Sequence, residues 1–131
     1  TSKPCYLMGL DSPVELVEAI SEGADIFDSR FPTQNARRGT LFTSKGKLRI
    51  KKLDCKFDKK PIDKNCRCFV CKNYPRAYIH YQLKMQEPVG YRLATFHNLY
   101  YLQSLMEKAR SEIKKGTFER FLDEIKKNYD E

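Results

Sequence analysis

Tyr6-Leu7-Met8-Gly9-Leu10-Asp11-Ser12-Pro13-Val14-Glu15-Leu16-Val17-Glu18-Ala19-Ile20-Ser21-Glu22-Gly23-Ala24-Asp25-Ile26-Phe27-Asp28 is the stretch that sets the fold class. With Pro4 and Cys5 before it, Tyr6-Leu7-Met8 is a short apolar run closed by Gly9, and it reads as a buried strand. Ser12 can cap a helix, Pro13 suits its first position, and Glu15 completes a capping box. Leu16, Val17 and Ile20 then share one face, and Gly23 stops the helix. Ala24 to Asp28 is the next strand. A strand, a helix and a strand in so short a span predict a parallel pair, hence the α/β class.

In parallel sheets of this kind the chemistry gathers at the carboxyl ends of the strands. Two loops lie there: Gly9 to Ser12, and Asp28 to Gly39. The second places a carboxylate at a strand tip and follows it with a polar, basic run. Periodicity alone favours a plainer role for Asp28, the cap of a turn before Pro32.

Thr40 to Thr43, the turn Ser44-Lys45-Gly46, and Lys47 to Ile50 predict a β-hairpin. Leu48 and Ile50 face one way while Lys47, Arg49 and Lys51 face the other, a basic side suited to phosphates. The wider segment from Arg37 to Arg76 holds fourteen Lys and Arg against three Asp, in a chain of net charge +8. The remainder is therefore slightly acidic, and the middle reads as a surface for a polyanion or as a solvated face.

Cys66-Arg67-Cys68-Phe69-Val70-Cys71 puts three of the five cysteines within six positions. Thiolates bind zinc strongly, and C-x-C-x2-C lets one loop supply three corners of a tetrahedron. The fourth should be a histidine; the chain has two, His80 and His97, and spacing does not choose between them. Four protein ligands leave no open position, so such a metal holds structure and does no chemistry.

Tyr74, Ala77, Tyr78, Tyr81 and Met85 recur at helical spacing, and Glu87 to Gly90 reads as the end of that helix. His97 opens a further run through Leu99, Leu102, Leu105, Met106, Ala109 and Ile113, broken at Gly116. Thr117 caps a last amphipathic helix that turns Phe118, Phe121, Leu122 and Ile125 inward. At 131 residues and 40% hydrophobic content the chain is one compact domain or a piece of a larger one. No apolar run approaches a membrane span, and the first residues do not read as a signal peptide. Clustered cysteines predict a metal in a reducing compartment, hence a cytoplasmic protein.

In order along the chain stand Tyr6-Leu7-Met8-Gly9, Ala24 to Asp28, Phe31-Pro32-Thr33, Asn35-Ala36-Arg37, Gly39 to Thr43, the three cysteines and His97-Asn98-Leu99. Together they resemble the queuine-type tRNA-guanine transglycosylases, from about Lys3 to Ile113; Lys114 to Glu131 adds little to the likeness. The resemblance implies the last two βα units of a (β/α)8 (TIM) barrel, with a hairpin, a zinc-binding subdomain and C-terminal helices. The segments would be 1–50 for the barrel end, 51–97 for the zinc subdomain and 98–131 for the helices, the first of these being the last barrel helix. It implies exchange of the wobble guanine in the tRNA anticodon loop for a free deazaguanine, queuine or its precursor, through a covalent ribosyl-aspartate. It assigns the nucleophile to Asp28 and RNA contacts to Gly9, Leu10, Asp11, Ser12, Pro13, Val14 and Glu15, and to Thr33, Gln34, Asn35, Ala36 and Arg37. It assigns the Zn2+ ligands to Cys66, Cys68, Cys71 and His97.

The chain departs from the family pattern at Ser29, where cysteine is usual, at Arg30, where an apolar residue is common, and at Gln34, where arginine is usual. Family enzymes are several times longer, and this chain begins just before their seventh barrel strand. The part ahead of it carries the base pocket and a second catalytic aspartate. The expectation is thus a fragment inactive alone, rather than half of a split enzyme, with a homodimer partner or a complementing N-terminal part of the barrel. The alternatives are a non-catalytic tRNA-binding zinc module or accessory subunit of the same lineage, a plain zinc-ribbon domain, and the archaeosine-forming relatives.

Overall fold

A computed structural model describes residues 3–129. Residues 1–2 and 130–131, at the outer ends of the expected segments, lie outside the described residues. The chain forms two compact units, Thr1–Phe31 with Leu102–Glu131, and Pro32–Tyr101.

In the first unit, β1 (Tyr6–Met8) and β2 (Ile26–Asp28) pair in parallel, Tyr6 opposite Ile26 and Met8 opposite Asp28. The crossover is α1 (Pro13–Ser21), and its sequence signals act as local chemistry requires. Ser12 Oγ accepts from the Glu15 amide at 3.2 Å, and the Glu15 carboxylate reaches back to the Asp11 amide at 2.7 Å. At the other end Gly23 takes φ +105°, the Ala24 amide bonds the Ala19 carbonyl, and the Gly23 amide bonds that of Ile20. That is a Schellman stop, which needs a residue without Cβ at the left-handed position. α1 buries Pro13, Leu16 and Val17 and packs on α6 (Phe118–Tyr129), which buries Phe121, Leu122 and Ile125.

The first strand was expected to be buried, and neither strand is. Tyr6 is 52%, Met8 67% and Ile26 50% exposed. Within the described residues the parallel sheet has two strands, and a parallel sheet is ordinarily covered on both faces.

In the second unit β3 (Thr40–Thr43) and β4 (Gly46–Arg49) form an antiparallel hairpin with Leu41 opposite Leu48. Around it lie α2 (Phe31–Arg37), α3 (Phe69–Asn73), α4 (Arg76–Lys84) and the start of α5 (Pro88–Lys115). Leu41, Ile50, Ile62, Val70, Ile79, Leu83 and Ala94 make a continuous buried core, and Ala36, Cys68 and Cys71 belong to it.

Three boundaries differ from the sequence reading. Thr33 to Arg37 is helical rather than loop, because Pro32 fits a first helical turn and Ala36 buries its methyl. Tyr74 stands outside α4, since Pro75 is that helix's N-cap. Pro88 opens α5 well before His97, and Gly90 sits in its first turn against α4, where a Cβ would meet Gln82 Cβ at 2.7 Å. Proline and glycine there permit a start and a close approach rather than a stop. No helix among the described residues is long and apolar enough to cross a membrane.

Candidate functional site

Cys66 lies in the loop before α3, Cys68 is the N-cap of α3 and Cys71 lies within it. His97 is carried by α5 and is fully buried. Their ligand atoms all fall within 4.8 Å of one another. His97 Nδ1 stands 3.9 Å from Cys66 Sγ, 3.5 Å from Cys68 Sγ and 3.4 Å from Cys71 Sγ. Bonds of about 2.3 Å to sulfur and about 2.0 Å to nitrogen around a tetrahedral centre put the two elements about 3.5 Å apart, so the donor set fits one metal ion. The amide of Cys68 points at Cys66 Sγ at 3.5 Å, and that of Cys71 at Cys68 Sγ at 3.3 Å, contacts that favour thiolates.

His97 Nε2 donates to the Phe42 carbonyl at 2.8 Å, which leaves Nδ1 as the free ligand nitrogen. In the metal-free shell, burial alone would lower the His97 pKa. The sulfurs of Cys66 and Cys68 and the Phe42 carbonyl outweigh it and push it up to about 9. Hydrogen bonding from Cys66 and Cys71 pushes the Cys68 thiol well below its usual range. His80 is also buried, but its Nδ1–H donates to the Ile50 carbonyl at 2.7 Å and the ring stands outside the cluster.

Two residues to which the sequence reading assigned no role tie the shell to the hairpin. Asp63, buried, accepts from the amide and hydroxyl of Ser44 at 2.8 and 3.0 Å and from the Asn65 amide at 3.0 Å. Asn98, also fully buried, accepts from the Phe42 amide and donates to the Pro32 and Thr40 carbonyls. A buried amide with both donors and its oxygen engaged, next to the histidine of the cluster, has no signature of its role in one sequence.

Between α2 and the hairpin opens a basin of about 570 Å³. Asn35, Arg38, Lys47, Arg49, Lys51 and Lys52 line it, with no carboxylate among the lining residues. Gly39, at φ +85°, lets the Lys51 stem lie over it; a Cβ there would meet Lys51 Cγ at 3.0 Å. Arg76, the far end of the basic stretch, is committed elsewhere: it bonds the Pro61 and Ile62 carbonyls and pairs with Asp58 at 3.3 Å. Of the segment Thr33 to Arg37, Arg37 is exposed, Thr33, Gln34 and Asn35 are half-buried and Ala36 is core.

In the first unit Asp28 ends β2 with its carboxylate in solvent and accepts from the Tyr6 hydroxyl at 3.0 Å. The Tyr6 phenol is raised above its ordinary value, chiefly by that hydrogen bond. Asp25, the neighbouring carboxylate, caps the Cys5 amide at 2.9 Å. Ser29 donates to the Leu10 carbonyl at 2.5 Å and accepts from the Phe31 amide, so it holds the Gly9 to Ser12 loop to the end of β2. In that loop and the first turn of α1, Leu10 and Pro13 turn inward, whereas Gly9, Asp11 and Glu15 are exposed.

A protein-family model described as Queuine tRNA-ribosyltransferase matches residues 1–131, including the C-terminal helix that carried little of the sequence likeness. A queuine tRNA-ribosyltransferase of Halothermothrix orenii is 48% identical over 128 residues, covering 98% of this chain and 34% of that protein. Those of Fusobacterium nucleatum and Caldanaerobacter subterraneus are 47% and 46% identical, again over 34% of their length. The chain thus spans about a third of the curated relatives it matches. It belongs to the queuine tRNA-ribosyltransferase family.

Proposed function

We propose that the chain is the C-terminal part of a tRNA-guanine transglycosylase and that Asp28 is its nucleophile. The observation that carries this is an exposed carboxylate at the carboxyl end of a parallel strand, in a chain of this family. A carboxylate there stabilises the positive charge that grows on the ribose as the glycosidic bond stretches. An Asp28 oxygen bonds C1′ while the C1′–N9 bond breaks, its electron pair leaving with guanine, which takes up a proton. N9 of the incoming deazaguanine, queuine or its precursor, then displaces the carboxylate and gives up its proton.

The substrate is the anticodon loop of tRNA. Thr33, Gln34, Asn35 and Arg37, with backbone at Ala36, face the wobble nucleotide. Gly9, Asp11, Ser12, Val14 and Glu15, with backbone at Leu10 and Pro13, contact the RNA from the other segment. The basin of Arg38, Lys47, Arg49, Lys51 and Lys52 follows the phosphates. Cys66, Cys68, Cys71 and His97 hold a structural Zn2+; when bound it fixes the fold of residues 51–97 and takes no part in the chemistry. Residues 1–50 complete a TIM barrel whose remaining strands cover Tyr6, Met8 and Ile26, and residues 98–131 supply its closing helices. The working species is a homodimer or a complex with the rest of the barrel, in the cytoplasm, where thiolates stay reduced.

The test is a graft of this chain in place of the matching third of the Halothermothrix orenii protein. The graft exchanges labelled guanine into tRNA and forms a covalent RNA adduct, and Asp28→Asn abolishes both. An adduct that persists in Asp28→Asn would refute the nucleophile. Exchange lost in Asp28→Asn with RNA binding kept separates chemistry from recognition.

A further inference from the structure

We propose that Asn98 is the positioning residue of the RNA-recognition segment. This deepens the reading of Thr33 to Arg37 given above and rests on it. The amide of Asn98 is fully buried and uses both of its donors and its acceptor oxygen. Oδ1 accepts from the Phe42 amide at 3.1 Å, while Nδ2 donates to the Pro32 carbonyl at 3.0 Å and the Thr40 carbonyl at 3.1 Å. Pro32 and Thr40 stand immediately outside Thr33 to Gly39, so one side chain pins both ends of that segment. The segment contains α2, of seven residues, too short to hold its own geometry in water.

The clasp also has a fixed origin. The preceding residue, His97, donates to the carbonyl of the same Phe42 and turns its other nitrogen to the three sulfurs. Both polar backbone groups of Phe42 therefore meet consecutive residues of one turn of α5. A metal at the cluster sets α5, α5 sets Asn98, and Asn98 sets where Thr33, Gln34, Asn35 and Arg37 stand. The amide carries no charge and does not titrate, so this positioning holds across the pH range in which the metal stays bound.

The experiment uses the full zinc-loaded chain and two RNA probes, an anticodon stem-loop with guanine at the wobble position and the same loop with adenine there. Asn98→Asp keeps the shape and the acceptor but cannot supply both donors. It should retain zinc and the salt dependence of binding while its preference for the guanine loop falls to parity. A purely structural role would weaken both loops together or release the metal, and either result overturns the proposal, as does a preference kept intact. Arg37→Ala is the control. If it loses the preference and Asn98→Asp does not, Asn98 is refuted and the segment's role stands. If Arg37→Ala and the parent chain bind both loops alike, the reading of the segment falls first. A second measurement needs no variant that must fold: hydrogen exchange on the parent chain. The guanine loop should slow the amides of Phe42 and of residues 33–39 more than the adenine loop does, and equal slowing would overturn the proposal.

Discussion

His97 gives its Nε2 hydrogen to the Phe42 carbonyl at 2.8 Å, and this single bond fixes both the tautomer and the aim of the ring. With Nε2 occupied, Nδ1 is the nitrogen turned to the sulfurs of Cys66, Cys68 and Cys71. The histidine that joins the three sulfurs is thus aimed by a carbonyl on the hairpin, far away in sequence.

The first prediction follows from that selection. His97→Ala should leave the chain without stoichiometric zinc and unfold the second unit, because structural zinc contributes about 10–16 kcal/mol to folding in small sites. His80→Ala should keep its zinc. It loses the bond to the Ile50 carbonyl, a cost of about 1–3 kcal/mol for a buried group left unpaired, together with the packing of a buried ring. Metal analysis with thermal melts separates the two, and zinc lost from His80→Ala but kept in His97→Ala would reverse the assignment.

Acid should release zinc from the cluster. In the metal-free shell the His97 pKa is raised to about 9, so near neutrality the ring is protonated and zinc must displace that proton along with thiol protons. Zinc affinity should therefore climb as pH rises toward 9, and calorimetry in buffers of different ionisation enthalpy should detect proton release on binding. For the metal-free chain the linkage runs the other way: a raised folded pKa stabilises below the unfolded value of 6.5 and is lost as pH rises through 9. A flat zinc affinity from pH 6 to 9 would contradict the first statement, and a metal-free stability that does not fall as pH rises toward 9 would contradict the second.

Gly90 offers a test of packing that leaves the site chemistry alone. A Cβ there would lie 2.7 Å from Gln82 Cβ and 3.0 Å from the Gln82 carbonyl carbon. Gly90→Ala should cost about 1–3 kcal/mol through forced separation of α4 and α5, despite alanine's better helix propensity. A denaturant midpoint that rises in the variant would show that the helices can part freely.

What the sequence made legible follows from the range of the forces involved. Ser12, Glu15 and Gly23 act on neighbours within a few positions, so the strand, helix and strand of the first unit could be read directly. The alternation of Lys47, Leu48, Arg49 and Ile50 is equally local, and the hairpin followed. Asn98 acts on groups 56, 66 and 58 positions away, and nothing in its own helix marks it as different from a surface amide. The same distance hid the choice between His80 and His97, both on inward helix faces. Pro32 and Pro88 misled in another way. Pro32 was read as following a turn and Pro88 as ending a helix, and each stands where a first turn needs no amide hydrogen. The three cysteines were legible from their spacing alone, whereas the choice of His97 and the assignment of a role to Asp28 came only through the likeness of several short motifs to a family.

Binding of RNA should be strongly salt-dependent. Lys47, Arg49 and Lys51 line the basin, together with Arg38 and Lys52, without a carboxylate among them. Neutralising these three should lower the slope of log affinity against log salt by about 2–3, at about 0.7–0.9 per phosphate contact. Neutralising Arg76 should instead cost stability with little change in slope, since it already holds Asp58 and two carbonyls. Titration of a tRNA at several salt concentrations reads both, and an unchanged slope in the triple variant would remove the basin from the RNA path.

The last prediction separates binding from turnover. Departure of guanine needs a proton donor, and general acid–base help of that kind is worth about 10²- to 10⁴-fold. In the unit that carries Asp28 two of the other carboxylates already accept backbone hydrogen bonds. Asp25 accepts from the Cys5 amide and Glu15 from the Asp11 amide. Tyr6 reaches Asp28, but hydrogen bonding to that carboxylate raises its phenol further above neutrality, so it donates a hydrogen bond and is too weak an acid to protonate a leaving base. The isolated 131-residue chain should accordingly bind tRNA without exchanging base. Grafted into the longer relative it should turn over. There Tyr6→Phe, which leaves Asp28 without its hydrogen-bond donor, should reduce kcat while KM for tRNA and zinc content stay as they were. Exchange by the isolated chain at the rate of the graft would mean that an acid within these residues has been overlooked. An unaltered kcat in Tyr6→Phe would mean that Asp28 is oriented by something other than the bond seen here.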